Sequence, residues 1–309
     1  MDVIDLCHCR RQLPSIEMTT HLHRFGETTV MKKIIAAFDG LKFSESTMNY
    51  AIHFAQRFNA HLVGVFLDDI TYTSYRIFDI IKEEGASETE LKKLENEDKK
   101  TRNKAVSHFE DSCRKASINY SIHRDRNIAL QELLHESIYA DLLIINNKET
   151  LTHYEENIPS RFIRDLLTDV QCPVLLVPQK YAPTDKLIIL YDGEPSSVHA
   201  VKMHSYLFST PDYNSCEVIS VSRMEGSLHI PDNRLMKEFM KRHHPTAEYT
   251  VLKGLAEEEI VNYLRGQKQD MLIVLGAYRR GRVSRWFRHS MADLLTKEIK
   301  APLFIAHAK

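Results

Sequence analysis

The chain has 309 residues, enough for two domains of ordinary size with a core each. Its formal net charge of −1 excludes an overall field that would draw it to nucleic acid or to an anionic membrane. Apolar residues make up 43% of the chain, as in a soluble globular protein, and no run approaches the roughly 18 apolar residues of a transmembrane helix.

The cysteines and the N-terminus indicate the cellular compartment. Five cysteines are scattered along the chain without a Cys-x-x-Cys pair, a pattern that favours a reducing environment. The N-terminus lacks the apolar segment of a secretory signal peptide. We therefore predict a cytoplasmic protein.

Residues 1–31 differ from the rest of the chain and are predicted to be a disordered leader. They contain residue types that bind metals, namely Cys7, Cys9, His21 and His23. Their spacing is not that of a structural zinc site, so no metal is predicted.

A regular alternation of short apolar runs and helical patterns begins at Lys33. The run from Lys33 to Phe38 predicts a strand that ends at the turn signal Asp39-Gly40, and residues 61–67 predict a second strand. Ser44 or Ser46 can cap the helix between them. Continuous apolar runs separated by helices are typical of a parallel sheet covered on both faces.

The segment 69–115 is predicted to be an insertion that starts with aromatic and apolar residues. It continues as a long helix from about residue 87, whose mixture of glutamate and lysine indicates a solvated face rather than a nucleic-acid site. Three further strands are predicted at 118–123, 141–145 and 173–178.

The pattern then restarts. Lys186–Gly193 repeats Lys33–Gly40, and Asp192 minus Asp39 is 153. Later pairs lie closer: Asp270 minus Asp141 is 129, and Pro302 minus Pro173 is also 129. The constant later offset predicts a repeat without gaps over its last third. We thus predict an α/β protein of two tandem, doubly wound, Rossmann-like domains with five parallel strands each, at 32–180 and 184–309.

The second copy is predicted to follow the same order of elements as the first. Helices are expected near 195–208, 233–243, 257–265 and after Ser290, and strands near 217–221, 247–252, 270–275 and 302–306.

The stretch after the fourth strand of the second copy has the features of an anion site. The strand ends at Gly276, and a helix is predicted to start near Ser290. Five arginines lie between them: Arg279, Arg280, Arg282, Arg285 and Arg288. Strand ends at a topological switch point, a helix N-terminus and guanidinium groups all suit phosphate. The first copy has Asn146-Asn147-Lys148 there and no arginine cluster.

These features, in this order and present twice, resemble the universal stress protein family in its tandem form. The resemblance covers about residues 32–309. It is carried by the Asp-Gly after the first strand of each copy, by the Asp-Leu-Leu-Ile type of fourth strand, by the loop that starts at Gly276, and by the closing Cys172-Pro173 and Ala301-Pro302.

The resemblance implies a nucleotide loop in the second copy. ATP-binding members carry Gly-x2-Gly-x9-Gly-Ser/Thr; Gly276 matches the first glycine and Ser290 matches the Ser/Thr. Arg279 and His289 stand at the second and third glycines, where they could either block a triphosphate or contact it. In the first copy the corresponding residues are Asn147, Thr150, Ser160 and Arg161.

The predicted ligand is an adenine nucleotide such as ATP, or another small anion. Asp192 would contact base or ribose, the Gly276 backbone would admit phosphate, and Ser290 at its helix N-terminus would hold it. The candidate set is Asp192, Gly193, Gly276, Arg279, Gly281 and Ser290, with Asp39, Gly40, Arg280 and His289 as weaker candidates. A turn glycine, a helix cap and turn aspartates would explain the same residue types without a ligand.

The functional prediction is a non-catalytic protein with a regulatory or protective role in stress response. No P-loop, GxSxG or HExxH motif occurs. Two alternatives stay open: a dimerisation and interaction module without nucleotide, and a nucleotide hydrolase. Family dimers often join through the last strand, so the resemblance implies an intramolecular pseudo-dimer of the two copies. Association of two chains stays open, and no nucleic-acid or membrane partner is expected.

Overall fold

The computed structural model of the chain describes residues 32–69, 88–124, 126–152, 155–208, 213–222, 229–267, 270–276 and 290–306. The chain divides into two compact units, Met1–Val30 and Met31–Lys309. The predicted leader, with its cysteines and histidines, lies outside the described residues, as does the aromatic start of the insertion. Among the described residues, no helix is both long and apolar enough to cross a membrane.

Helices and strands alternate through the second unit. The strands are β1 (Lys33–Asp39), β2 (His61–Asp69), β3 (Tyr120–His123), β4 (Arg126–Asn127), β5 (Leu142–Asn146), β6 (Val174–Val177), β7 (Lys186–Leu190), β8 (Ser215–Ser222), β9 (Glu248–Lys253), β10 (Met271–Gly276) and β11 (Leu303–Ala306). The described helices are α1 (Glu45–Phe58), α2 (Glu88–Lys115), α3 (Ala129–Ser137), α4 (Arg161–Asp169), α5 (Pro195–Leu207), α6 (Asn233–His243), α7 (Ala256–Arg265) and α8 (Ser290–Glu298).

The strands form one continuous sheet in the order β3-β2-β1-β5-β6-β11-β10-β7-β8-β9, with the short β4 beside β2. The first half of the sheet contains β1 to β6 and the second half β7 to β11. Neighbouring strands are parallel within each half, and β6 and β11 pair antiparallel at the centre. The doubly wound α/β fold class is therefore confirmed. The last strands of the two copies pair with each other, as expected for an intramolecular pseudo-dimer.

Helices cover both faces of the sheet because the buried strands are apolar on both sides. One face packs against α3, α4, α7 and α8, through residues such as Leu133 and Leu295. The other packs against α1, α2, α5 and α6, through residues such as Phe109 and Met240. Each of these two apolar layers contains residues from both halves, so the halves share their core.

A group of aromatic rings joins the two halves. The ring of Phe208 lies 5.2 Å from Phe54 and 5.0 Å from Phe58, both on α1. It also lies 5.6 Å from Phe304 on β11. The linker is held as well, since the Tyr50 hydroxyl donates to the carbonyl of Ala182 at 3.1 Å. Aromatic contacts of this kind add to the area that they bury.

The register of the fourth strands corrects the sequence repeat by one residue. Leu143 donates its N–H to Pro173, and in the second half Ile273 donates to Pro302. The prolines differ by 129, whereas Leu143 and Ile273 differ by 130 and face the same apolar layer. The predicted offset of 129 was wrong for this strand. The two copies have similar sequences here, and the similarity concealed a shift of one residue, which exchanges the two faces of a strand. Gly276 therefore stands in the place of Asn146, not Asn147.

Candidate functional site

The candidate site of the second half lies where β7 and β10 end. These strands pair side by side in parallel, β8 follows on the far side of β7, and β11 on the far side of β10. The connections therefore leave in opposite directions, which is the switch point at which open α/β sheets bind ligands. The structure brings Asp192, Gly193 and Gly276 together at this edge.

Asp192 and Gly193 form a tight turn after β7. The Asp192 side chain is buried, and its Oδ1 accepts the N–H of Glu194 at 3.0 Å. Gly193 has φ +85°, and a Cβ there would lie 2.7 Å from Pro231, so both conformation and space require glycine. In the first half Asp39 is buried in the same way and accepts the N–H of Leu41 at 2.8 Å. Both aspartates thus have a turn role that needs no ligand.

Gly276 is explained by the packing of α5. A Cβ on Gly276 would lie 2.4 Å from the carbonyl carbon and oxygen of Ser196, in the first turn of that helix. Real side chains do not approach backbone so closely, so only glycine permits this contact. The first turn of α5 is also an extra one, because α5 begins at Pro195 whereas α1 begins at Glu45, three positions later in the repeat.

The remaining predicted residues lie beyond β10. Helix α8 begins at Ser290, so its first unpaired N–H groups are at this end of the second half. Arg279, Arg280, Gly281 and His289 lie outside the described residues, together with the other arginines of the loop and the side chain of Ser290.

The first half has a large open cleft at the corresponding edge. Its volume is about 840 Å³, and its lining includes Lys42, Ser44, Asn146, Glu149 and Ser160. At this edge α1 lacks the extra first turn that α5 has in the second half. Ser44 caps α1 by accepting the N–H of Thr47, as predicted.

The loop after β5 is closed by hydrogen bonds among its own residues. Asn146 donates from Nδ2 to the Ser44 hydroxyl at 3.1 Å and accepts the Lys148 N–H at 2.9 Å. Ser160 caps α4 by accepting the Ile163 N–H at 3.2 Å, and its hydroxyl donates to the carbonyl of Glu149. The described residues of this loop are thus tied by hydrogen bonds to one another and to the cap residue of α1.

Glu149 supplies an internal carboxylate to this loop. Its Oε1 accepts the N–H groups of Thr150 at 3.1 Å and Leu151 at 3.2 Å. Burial, with the nearby charge of Asp39, raises the pKa of Glu149 to about 7, although the two N–H bonds and Lys42 oppose this. Loop N–H groups that could bind an external anion therefore already hold a side chain of the protein.

The long helix α2 also reaches the strand ends of the first half. The guanidinium of Arg102 is buried, lies 3.2 Å from the carboxylate of Asp68, and donates to the carbonyl of Leu67 at 3.3 Å. A Cβ added to Gly40 would lie 3.1 Å from the Cγ of Arg102. The insertion therefore contributes a partly buried ion pair to the first half.

The sequence interpretation missed Glu149 and Arg102. Arg102 could have been found, because it stands in helical register with the buried Ala105, Phe109 and Cys113. Glu149 could not, because a glutamate in a polar loop carries no sign that the loop will fold inward. Among the residues that the structure describes, no group of three or more potential metal ligands comes together.

Comparison with solved structures identifies the fold. A universal stress protein from Archaeoglobus fulgidus DSM 4304 superposes with a TM-score of 0.64 at 12% identity, over 89% of this chain and 98% of that one. A protein of unknown function from Pseudomonas aeruginosa PAO1 gives 0.55 at 12% identity, over 90% and 92%. Another, from Pseudomonas aeruginosa UCBPP-PA14 and provisionally named a universal stress protein, gives 0.56 at 14%, over 90% and 93%.

No family model and no curated protein sequence matches the chain. At these identities the superpositions show the fold alone, which this chain shares with solved universal stress proteins over about nine tenths of its length.

Proposed function

We propose that the chain is a non-catalytic, cytoplasmic stress-response protein of the universal stress protein type. Its second half binds an adenine nucleotide, ATP or AMP, or another small anion at the ends of β7 and β10. Asp192 contacts base or ribose, and Ser290 with the first N–H groups of α8 holds phosphate. Arg279 and Arg280 supply positive charge, beside Gly281 and His289 in the same loop.

The observation that carries this proposal is the position of the start of α8. Helix α8 connects β10 to β11, and the Asp192-Gly193 turn follows β7, which is the neighbour of β10 at the switch point of the second half. Helix N-termini attract anions through unpaired N–H groups and the helix dipole. In the first half the corresponding loop already contains the carboxylate of Glu149, which supports the assignment of nucleotide to the second half.

The alternative is a dimerisation and interaction module that binds no nucleotide. It is favoured by the packing at Gly276, because the first turn of α5 occupies the space beside the glycine that was expected to admit phosphate. It is favoured also by the shared core, which would persist whether or not a ligand is present.

Calorimetric titration of the full chain with ATP, ADP and AMP at millimolar concentration tests the proposal. We expect binding to be weakened about tenfold by Ser290→Ala and more by Asp192→Asn, since each removes a polar contact to the ligand. Arg279→Gly should weaken binding if that side chain contacts the phosphates and strengthen binding if it blocks them.

The matched control is Asp39→Asn, the same change in the equivalent turn of the first half, which should leave the affinity unchanged. If none of the three nucleotides binds, the interaction module remains as the function. ATP turnover that survives the loop substitutions would show that the chain is a hydrolase with its site elsewhere.

A further inference from the structure

The cleft of the first half contains a carboxyl group whose hydrogen bonding is only half complete. Glu149 is 7% exposed and lines the cleft. Its Oε1 accepts the N–H groups of Thr150 and Leu151. Its Oε2 accepts no hydrogen bond from the residues that the structure describes, yet this oxygen is not enclosed by protein. A largely buried carboxyl group thus keeps one oxygen open to the cleft, where a ligand can complete its hydrogen bonding.

The sequence of the second half carries the opposite charge at this position. Ser290 minus Ser160 is 130, the same offset that relates the fourth strands, and both serines stand at the start of a helix. Over this loop the same offset places Arg279 at the position of Glu149. The first half thus has an acidic group where the proposed anion site of the second half has a basic one, so a cationic group suits the cleft.

Two lysines of the cleft have no partner of their own within the described part of the chain. Lys148 and Lys180 line the cleft and are exposed, and their side chains form neither a hydrogen bond nor an ion pair there. Lys42, in contrast, donates to the carbonyl of Thr152 at 2.8 Å. Because both free lysines are exposed and Glu149 is buried, the cleft has an acidic group in its wall and two cationic groups nearer to solvent.

The other carboxylates of the lining are either engaged or fully solvated. Glu45 lies 2.9 Å from the imidazole of His108. Glu156 accepts the backbone N–H of Arg161 at 2.7 Å. Glu155 is exposed. Glu149 is therefore the carboxyl group of this lining that is both buried and open to a ligand, and a charge-assisted hydrogen bond is strongest where water is excluded.

We propose that this cleft binds a small zwitterion with an ammonium group at one end and a carboxylate at the other. The ammonium group donates to Oε2 of Glu149, and the carboxylate pairs with Lys148 and Lys180. An ammonium group suits this anchor better than a guanidinium group, because a guanidinium pairs with two carboxylate oxygens and only one is open here. The hydrocarbon chain between the charges packs on Phe43 and Ile158, which line the same cleft. The site lies in the first half and does not depend on nucleotide binding in the second.

The test uses 6-aminohexanoate as the probe, titrated into the full chain at pH 8 by calorimetry and by ligand-observed NMR. We expect a dissociation constant at or below about 1 mM, in keeping with the probe's few heavy atoms. Hexanoate lacks the ammonium group and hexylamine lacks the carboxylate, so each should bind at least about tenfold more weakly. Saturating ATP should not displace the probe.

The pH dependence of binding reports on Glu149 directly. Burial, and then the charge of Asp39, raises the pKa of Glu149 to about 7 in the free protein, against the opposing charge of Lys42. The probe keeps both of its charges between pH 5.5 and pH 8. Because only the ionised carboxylate attracts the ammonium group, the affinity should rise about thirtyfold from pH 5.5 to pH 8.

Substitutions with matched controls locate the site. Glu149→Gln keeps the shape of the side chain and removes its charge, so it should weaken binding at pH 8 at least about tenfold and abolish the pH dependence. Glu258→Gln, the same change at an exposed position of α7, should alter neither. The double variant Lys148→Gln, Lys180→Gln should weaken binding about tenfold. Lys104→Gln on α2, away from the cleft, should have no effect.

The proposal is overturned by any of three results. These are no binding of the probe at millimolar concentration and pH 8, equal binding of hexanoate or hexylamine, or unchanged affinity in Glu149→Gln. Displacement of the probe by ATP would place the probe in a nucleotide site and would also overturn the proposal. If Glu149→Gln does not fold, the lysine variants and the pH profile of the wild type still decide.

Discussion

Gly276 and Asn146 occupy the same place in the two halves and have opposite effects on the surrounding backbone. Gly276 lets the first turn of α5 pack directly on the strand end. Asn146 instead bonds to the cap residue of α1 and leaves an open cleft beside it. The strand end thus carries a glycine where a helix packs on it and an asparagine where the cleft is open.

Glu149 gives a prediction for the pH dependence of stability. Its pKa in the folded state, about 7, lies above the ordinary value of 4.5. The protonated group favours the fold, so this contribution is complete below about pH 4.5 and is lost as the pH rises through 7. Glu149→Gln should match the wild type at pH 4.5 and exceed it at pH 8 by at most about 3 kcal/mol. Thermal unfolding at the two pH values measures the difference.

The control for Glu149 is Glu155→Gln, which removes an exposed carboxylate from the lining of the same cleft. It should alter stability at neither pH by more than about 0.5 kcal/mol. Equal stability of Glu149→Gln and the wild type at pH 8 would show that the buried carboxylate costs the fold nothing.

Single residues differ in how far the sequence predicts them. The turns at Asp39 and Asp192 were predicted from Asp-Gly after an apolar run, and both aspartates do bond within their turns. The cap at Ser44 was predicted from local chemistry as well. Gly276 was predicted to admit phosphate. Its contact with the first turn of α5 could not be predicted, because the residues that a glycine meets in space are not visible in the sequence around it.

At the scale of elements, a lysine at the start of the first strand of each half is paired differently. Lys186 on β7 lies 2.6 Å from Glu217 on β8, which also accepts hydrogen bonds from Thr250 and Tyr263. Those bonds lower the pKa of Glu217 against the opposing effect of burial. Lys33 on β1 lies 3.1 Å from Glu136, which belongs to helix α3 instead of a strand.

The two lysines make a matched pair for mutation. Lys186→Met should destabilise the fold by about 2–4 kcal/mol, because it leaves the buried Glu217 without its counter-charge. Lys33→Met should cost about 1 kcal/mol, because the Lys33 side chain is 28% exposed against 14% for Lys186. Urea unfolding of both variants measures the difference, and equal losses would contradict it.

Elements themselves were largely predictable, because apolar periodicity is a local property. The helix at 233–243 and the strand near 247–252 agree with α6 and β9 within a residue. The register of β10 was not predictable in this way, because the repeated letters suggested one alignment and the buried faces require another. The two-residue β4 carries too few residues for any pattern.

At the scale of the whole molecule, the antiparallel pair β6–β11 makes one sheet out of two repeats. Apolar layers on both faces continue across this pair. The resemblance to tandem universal stress proteins implied the pairing of the last strands. It did not predict the rings of Phe54, Phe58 and Phe208 at the junction, because nothing local marks residues of different copies as neighbours.

The shared core predicts a single cooperative unfolding transition for residues 32–309. Far-ultraviolet circular dichroism and tyrosine fluorescence should give coincident urea curves. Phe304→Ala truncates a fully buried ring at the junction. It should lower the free energy of unfolding obtained from both curves by the same amount, about 3–5 kcal/mol. Two separate transitions, of which only one responds to Phe304→Ala, would show that the halves fold independently.

The linker between β6 and β7 has a further consequence for how the two halves can change over time. In a dimer of identical chains every substitution occurs twice, so a change that suits one binding place alters its twin as well. Here both halves are encoded in one chain, and each position can change alone. Asn146 on β5 against Gly276 on β10 is a difference of this kind. Covalent joining thus allows a symmetric scaffold to keep an open cleft at one strand end and a packed helix at the other.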